Sequence, residues 1–252
     1  MTSGNAQKKS KHQNQEGVDF PMRLNRFMAL KGLATRRGAD ELIARGLVRI
    51  DGQVAKVGER VMHPETEVTL GKEVGNFQKE YQYFAYYKSR GVITHSPQRR
   101  ERSIQDVSGM KGVFPIGRLD KDSEGLIILT NDGRVTERLL SPRFAHEKEY
   151  LVSIRGVWPQ GIKQKLEQGI EDSGDNLRAK KFTQLGKQQA SIVLTEGKKH
   201  QIRRMLASSG LVITELKRIR IMNVHLGSLA VGEGRELTGR ARSGFLHDLG
   251  LS

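Results

Sequence analysis

The chain contains no cysteine, which excludes a disulfide framework and any cysteine-ligated zinc. No apolar run approaches the ~20 residues of a membrane span. The N-terminus lacks the apolar core of a signal peptide. Acidic residues are scarce: 28 Asp and Glu stand against 43 Lys and Arg, a net charge of +15. Such an excess favours a polyanionic partner, usually nucleic acid and sometimes an anionic membrane. Solubility alone is the plainer explanation. The expectation is a cytoplasmic protein that faces nucleic acid and no membrane. At 252 residues the chain can build one or two domains with a sizeable core.

Residues 1–21 are polar and basic and read as a disordered tail. From Arg23 the pattern changes. "RLNRFMALKGLATRRGADELIARG" sets Leu24, Phe27 and Met28, then Leu42 and Ile43, at helical spacing. Gly32 can close the first helix and Thr35 can cap the second, with a start one or two residues later equally open. "LVRIDGQVA" alternates around Asp51-Gly52, a hairpin signal, and "TEVTL" adds a short strand. Residues 71–80 form a polar, glycine-containing linker.

A second and larger domain follows over residues 81–240, with a tail over 241–252. Strand-like runs fall at Tyr81–Tyr87, Leu126–Thr130, Tyr150–Ile154, Ala190–Leu194 and Leu211–Thr214. Helix-like runs fall at Val135–Leu140, Gln160–Ile170 and His200–Ser208. Strands are frequent and there is no regular βαβ alternation, so the class is α+β with a mixed, largely antiparallel sheet.

Three segments of this domain can carry chemistry. In "GRLDKDSEGLIILTND" the charged Arg118 and Asp120 precede the apolar run Leu126–Leu129. Asp120 reads as a turn aspartate, as a salt-bridge partner of Arg118 or Lys121, or as a catalytic carboxylate. In "HEKEYLVSI" strand alternation puts Tyr150, Val152 and Ile154 on one face. Tyr150 is then a core aromatic or a wall that stacks on a nucleobase. In "TEGKKHQIRRML" a helix begins near Lys199 or His200, where free N–H groups suit a phosphate. Arg203 lies ~100° around from Ile202, at the edge of the buried stripe, and Arg204 ~200° around, toward solvent or RNA.

The order and wording of these segments carry more than each alone. Residues 22–70 resemble the S4 RNA-binding domain, whose basic side chains contact phosphates; here these are Arg23, Arg36, Arg37, Arg45 and Arg49. "FPIGRLDKDSEGLIILTNDG", "HEKEYLV", "EGKKHQIRRM" and "RIRIMNVHLGSL" resemble the pseudouridine synthase family, in its ribosomal-RNA branch with an S4 domain in front. The wording looks closest to the large-subunit synthases. The resemblance implies breakage of the uridine C1′–N1 bond, rotation of the uracil and joining of C5 to C1′, with neither metal nor cofactor. The chain has no P-loop and no G-x-G-x-x-G run, in keeping with that.

By the same resemblance Asp120 is the catalytic aspartate, acting as nucleophile or base. Arg203 is its basic partner, and Tyr150 stacks on the uracil. Leu226 packs in the pocket, and Arg118 fills the gap left by the flipped base. Lys199 and Arg204 would hold substrate phosphates. The implied partner is ribosomal RNA, or an assembling ribosomal particle, met by a monomer. One departure stands out: "YKSRGVITHS" keeps Lys88 and Gly91 but has Ser89 where the family often has proline, which puts the rigidity of that loop in question. Competing readings are a tRNA or small-subunit rRNA synthase, a non-catalytic RNA-binding assembly factor, and a hydrolase pairing Asp120 with Asp122 or Glu124.

Overall fold

A computed structural model of the protein describes residues 12–13, 19–34, 36–71, 81–95, 97–98 and 100–251. The chain divides into two compact units at Glu80/Tyr81. Most of the expected N-terminal tail, the cap residue Thr35 and residues 72–80 of the expected linker lie outside the described residues. So does the Arg37 side chain.

The first unit begins with β1 (His12–Gln13) paired to β2 (Asp19–Phe20). Then come β3 (Met22–Arg23), α1 (Leu24–Leu30), α2 (Arg36–Ala44), β4 (Val48–Ile50), β5 (Gln53–Val54), β6 (Arg60–Val61) and β7 (Val68–Leu70). Helical spacing buries Leu24, Phe27 and Met28 from α1 against Ala39, Leu42 and Ile43 from α2. Asp51 and Gly52 both have positive φ, 47° and 81°, as a two-residue hairpin turn between β4 and β5 requires. Phe20 corrects the tail boundary: it is buried, with its ring edge-on to Phe27 at 6.3 Å, so the core of this unit begins inside the expected tail. Arg23, Arg36, Arg45 and Arg49 are exposed.

The second unit is built on one mixed sheet. Its elements are β8 (Tyr83–Lys88), α3 (Ile104–Val107), β9 (Phe114–Ile116), β10 (Glu124–Thr130), α4 (Arg134–Leu140), β11 (Lys148–Ile154), α5 (Ile162–Gln168), β12 (Ile170–Asp172), β13 (Asp175–Leu177), β14 (Lys181–Gln184), β15 (Gln189–Leu194), α6 (Gln201–Ala207), β16 (Ile213–Ile221), β17 (Val224–His225), β18 (Gly234–Glu236) and α7 (Gly239–Asp248). The strand order is β14-β15-β11-β16-β10-β8-β18. Among the described strand pairings of this sheet only β10 with β16 is parallel, and it lies at the centre. Both faces of β10 are covered: Leu126 and Ile128 enter one core cluster, Ile127 and Leu129 another. Two-sided burial is why four apolar residues run consecutively, each contributing roughly 1.5–3 kcal/mol. Among the described residues no helix is long and apolar enough to cross a membrane.

Three expectations need correction. The strand expected at 211–214 instead runs Ile213–Ile221, and its charged middle, "ELKR", hid its length. Ile170 belongs to strand β12, not to the preceding helix, which Gly169 ends with φ 114°. The 241–252 segment is not a tail. α7 places Phe245 and, just past its end, Leu249 in the core at i, i+4, and Phe245 meets the Tyr83 ring at 6.4 Å.

Candidate active site

The segment entering β10 is fastened before the strand begins. Thr94 Oγ1 donates to Leu119 O (2.9 Å) and accepts from Leu119 N (3.1 Å). Gly91 N donates to Lys121 O at 2.8 Å. The Lys88 ammonium, fully buried, donates to Ser89 O (3.0 Å) and Ser123 O (2.7 Å). These bonds immobilise the loop that lacks the proline. Burial pushes the Lys88 pKa down to about 8, while the charge of Asp120 acts in the opposite direction.

Asp120 sits at the mouth of this segment, about one-third exposed (35%). The start of α6 brings two basic side chains to it, one from the cap residue His200 and one from within the helix. Nδ1 of His200 lies 3.0 Å from Oδ2, and Nε of Arg203 lies 3.9 Å from the same oxygen. Arg203 is anchored by Nη2, which donates to Asp122 O (3.0 Å) and to the Ser123 hydroxyl (3.1 Å). The expected inward reach of Arg203 is therefore observed. His200 carried no role in the sequence reading.

A second unforeseen residue is Arg218 on β16, buried with 4% exposure. Its Nε donates to Leu126 O at 2.7 Å, and Nη1 reaches Arg118 O at 3.4 Å and the Tyr150 hydroxyl at 3.5 Å. Its guanidinium carbon stands 5.9 Å from the Tyr150 ring centroid. One guanidinium thus links the Asp120 segment to Tyr150, which packs by its ring on the β11 core. The approach is possible because residue 125 is glycine. Its φ is 105°, and a Cβ there would lie 2.3 Å from Arg218 O. The alternation in "LKRIRI" could have pointed to Arg218, since it places this arginine on the same side as Leu216.

The remaining expected site residues divide. The side chains of Arg118 and Lys199 are exposed, as a role toward RNA requires. Leu226 is buried in the core with Ile221 and Val224. Arg204 is a correction: it does not face solvent freely. Its Nε meets Asp172, and Nη1 donates to Asp175 Oδ2 at 2.8 Å, so it ties α6 to the β12–β13 hairpin. Glu124, a candidate second carboxylate, accepts from the Tyr87 hydroxyl (2.9 Å) and pairs with Lys217 (3.2 Å). The "TND" that follows β10 is architectural: buried Asp132 accepts from the Tyr83 hydroxyl at 2.8 Å and holds Arg134 by two bonds. Among the described residues no three His, Asp or Glu side chains are grouped to hold a metal ion.

The class of protein comes from comparison with known families, which identify an RNA-modifying enzyme. Residues 82–208 match the RNA pseudouridylate synthase family and residues 22–68 the S4 domain, and the chain belongs to that synthase family, an isomerase class. It is 34% identical over 226 residues to the "Ribosomal large subunit pseudouridine synthase B" of Bacillus subtilis, covering 86% of this chain and 92% of that one. It is 34% identical to the "Dual-specificity RNA pseudouridine synthase RluF" of Escherichia coli K12, covering 87% and 77%. A solved structure, "Crystal structure of pseudouridylate synthase", superposes with a TM-score of 0.65 at 29% identity, covering 90% of this chain and 99% of that one.

Proposed function

We propose that the protein converts one uridine of large-subunit ribosomal RNA to pseudouridine, with Asp120 as the catalytic carboxylate. It would meet free rRNA or an assembling particle as a cytoplasmic monomer. The observation that carries the reading is the placement of Asp120 at the mouth of a rigid loop, with His200 and Arg203 facing one of its oxygens. The printed name of the Bacillus subtilis relative supports the large-subunit target.

The reaction breaks C1′–N1, forms C5–C1′, releases the C5 proton and protonates N1. No electron acceptor is involved. Asp120 starts it either by attacking C1′ or by removing the 2′ proton. Tyr150, held by Arg218, would stack on the released uracil while it turns. Arg118 would occupy the space the flipped nucleotide leaves, and Leu226 would back the pocket. Lys199 and the S4 arginines Arg23, Arg36, Arg37, Arg45 and Arg49 would contact phosphates.

The test is a pseudouridine map of total RNA with and without the protein, repeated with Asp120→Asn. The expected result is one site in large-subunit rRNA lost in both the deletion and the variant, with RNA affinity kept by the variant. Isomerisation by Asp120→Asn near the wild-type rate rules out this assignment. Loss of a site in another RNA class instead moves the target.

A further inference from the structure

Two basic side chains, His200 just before α6 and Arg203 within it, approach Asp120 at the same oxygen. Among the described residues both make their nearest approach to Oδ2, His200 Nδ1 at 3.0 Å and Arg203 Nε at 3.9 Å. We infer that His200 is a positioning residue for the isomerisation: it holds Oδ2, and so presents Oδ1 to the ribose of the target uridine. The inference rests on the reading of Asp120 given above.

An aspartate carboxyl rotates broadly about its last bond, and either oxygen can face the substrate. A base or nucleophile gains most when its reacting atom is held in near-attack geometry. Arg203 is the weaker holder, because its Nη2 is committed to Asp122 O and Ser123 Oγ and its nearest nitrogen is 3.9 Å away. The imidazole is nearer, and its side chain is 46% exposed.

The backbone has been arranged to put the ring there. His200 has φ 52° and ψ 30°, the left-handed region that non-glycine residues seldom enter, although histidine and asparagine do so more readily than most. The following residue imposes this conformation. Gln201 is buried, and its Oε1 accepts from Lys198 N at 3.1 Å. Its Nε2 donates to Glu196 Oε1 (2.8 Å) and Arg178 O (3.2 Å), and its own N–H reaches Lys198 O at 3.2 Å. The turn before α6 is therefore closed by Gln201, and the ring of His200 is aimed by it.

Two variants separate the ring from the backbone. Glycine is at home at positive φ, so His200→Gly removes the imidazole without straining the turn. Asparagine also tolerates this region and places an amide nitrogen near the position of Nδ1. The probe is large-subunit rRNA transcribed with uridine tritiated at C5; isomerisation replaces the C5–H bond and sends the tritium to water. Under single-turnover conditions His200→Gly should slow release by about ten- to a hundredfold, as loss of near-attack geometry does, with RNA affinity within about twofold of wild type. His200→Asn should recover most of the rate. A glycine variant at the wild-type rate overturns the inference. So does a loss that appears in RNA affinity alone, or an asparagine variant no faster than glycine. Asp120→Asn, run beside them, keeps the two readings apart: if it is active the catalytic assignment fails, and if it is inactive while His200→Gly is active only the role of His200 fails.

Discussion

Gly125→Ala tests whether the parallel contact of β10 with β16 is what assembles the site. The new methyl would lie 2.3 Å from Arg218 O and 2.7 Å from Arg218 N, both backbone atoms that no rotamer change can move. The residue also sits at φ 105°. A side chain in that region costs about 1–3 kcal/mol, and forcing an extra methyl into a packed interior costs about 1–3 kcal/mol more. The expected loss is about 4 kcal/mol, or a melting point lower by about 8–16 °C for a unit of this size. Gly156→Ala is the control: φ there is 91°, but nothing lies within 4 Å of its Cβ, so only the conformational part should be lost. Trp158 is the one tryptophan, and its ring packs edge-on against Phe182 at 5.1 Å inside the synthase unit. Its fluorescence therefore follows that unit's unfolding without interference from the S4 module. The bond from Arg218 Nε to Leu126 O should be strained as well, and tritium release should fall with stability. If Gly125→Ala melts no lower than Gly156→Ala, the close strand approach is not a constraint and the argument is refuted.

Two further outcomes are expected. Arg204→Met should lower the melting point and leave RNA affinity unchanged, because its guanidinium holds Asp172 and Asp175; weaker RNA binding with an unchanged melt would return Arg204 to the phosphate-contacting role. Burial lowers the pKa of both Lys88 and Lys148 to about 8, so between about pH 8 and 10 the unfolded chain binds more protons than the folded one and stability should rise with pH. Burial raises the hydroxyl pKa values of Tyr81, Tyr83, Tyr86 and Tyr87, which reverses the trend above about pH 10. Thermal melts of wild type and Lys88→Met across this range check the assignment: the variant should show a shallower rise, and a wild-type melting point that falls from pH 8 to 9.5 contradicts it.

What the sequence could and could not say follows from which interactions leave a local trace. Two-sided burial of β10 writes itself as four consecutive apolar residues, and the turn at Asp51-Gly52 needs positive φ that few residue pairs supply. The buried face of α6 is likewise periodic, and it put Arg203 on the correct side. Periodicity fixes only the azimuth of a side chain, however, and not what stands opposite. Arg204 points away from the buried stripe, as its position predicts. There it meets carboxylates 32 and 29 residues earlier in the chain, brought back by a hairpin with no strong signal of its own.

Arg218 defeats composition in the opposite way. By composition a buried arginine looks like a surface residue; strand alternation hints at its side, but the carbonyls of Leu126 and Arg118 that receive it lie 92 and 100 residues earlier. His200 combines both difficulties. Its partner is Asp120, far away in sequence, and its backbone conformation is set by the buried amide of Gln201, a residue that polarity alone would leave in solvent. Legibility therefore tracks the apolar scaffold. The polar groups that finish the site are specified by long-range pairing, and for such a pair the charge of each member is visible while its partner is not. This is why Asp120 and Arg203 could be singled out from their motifs, whereas His200 and Arg218 required the fold.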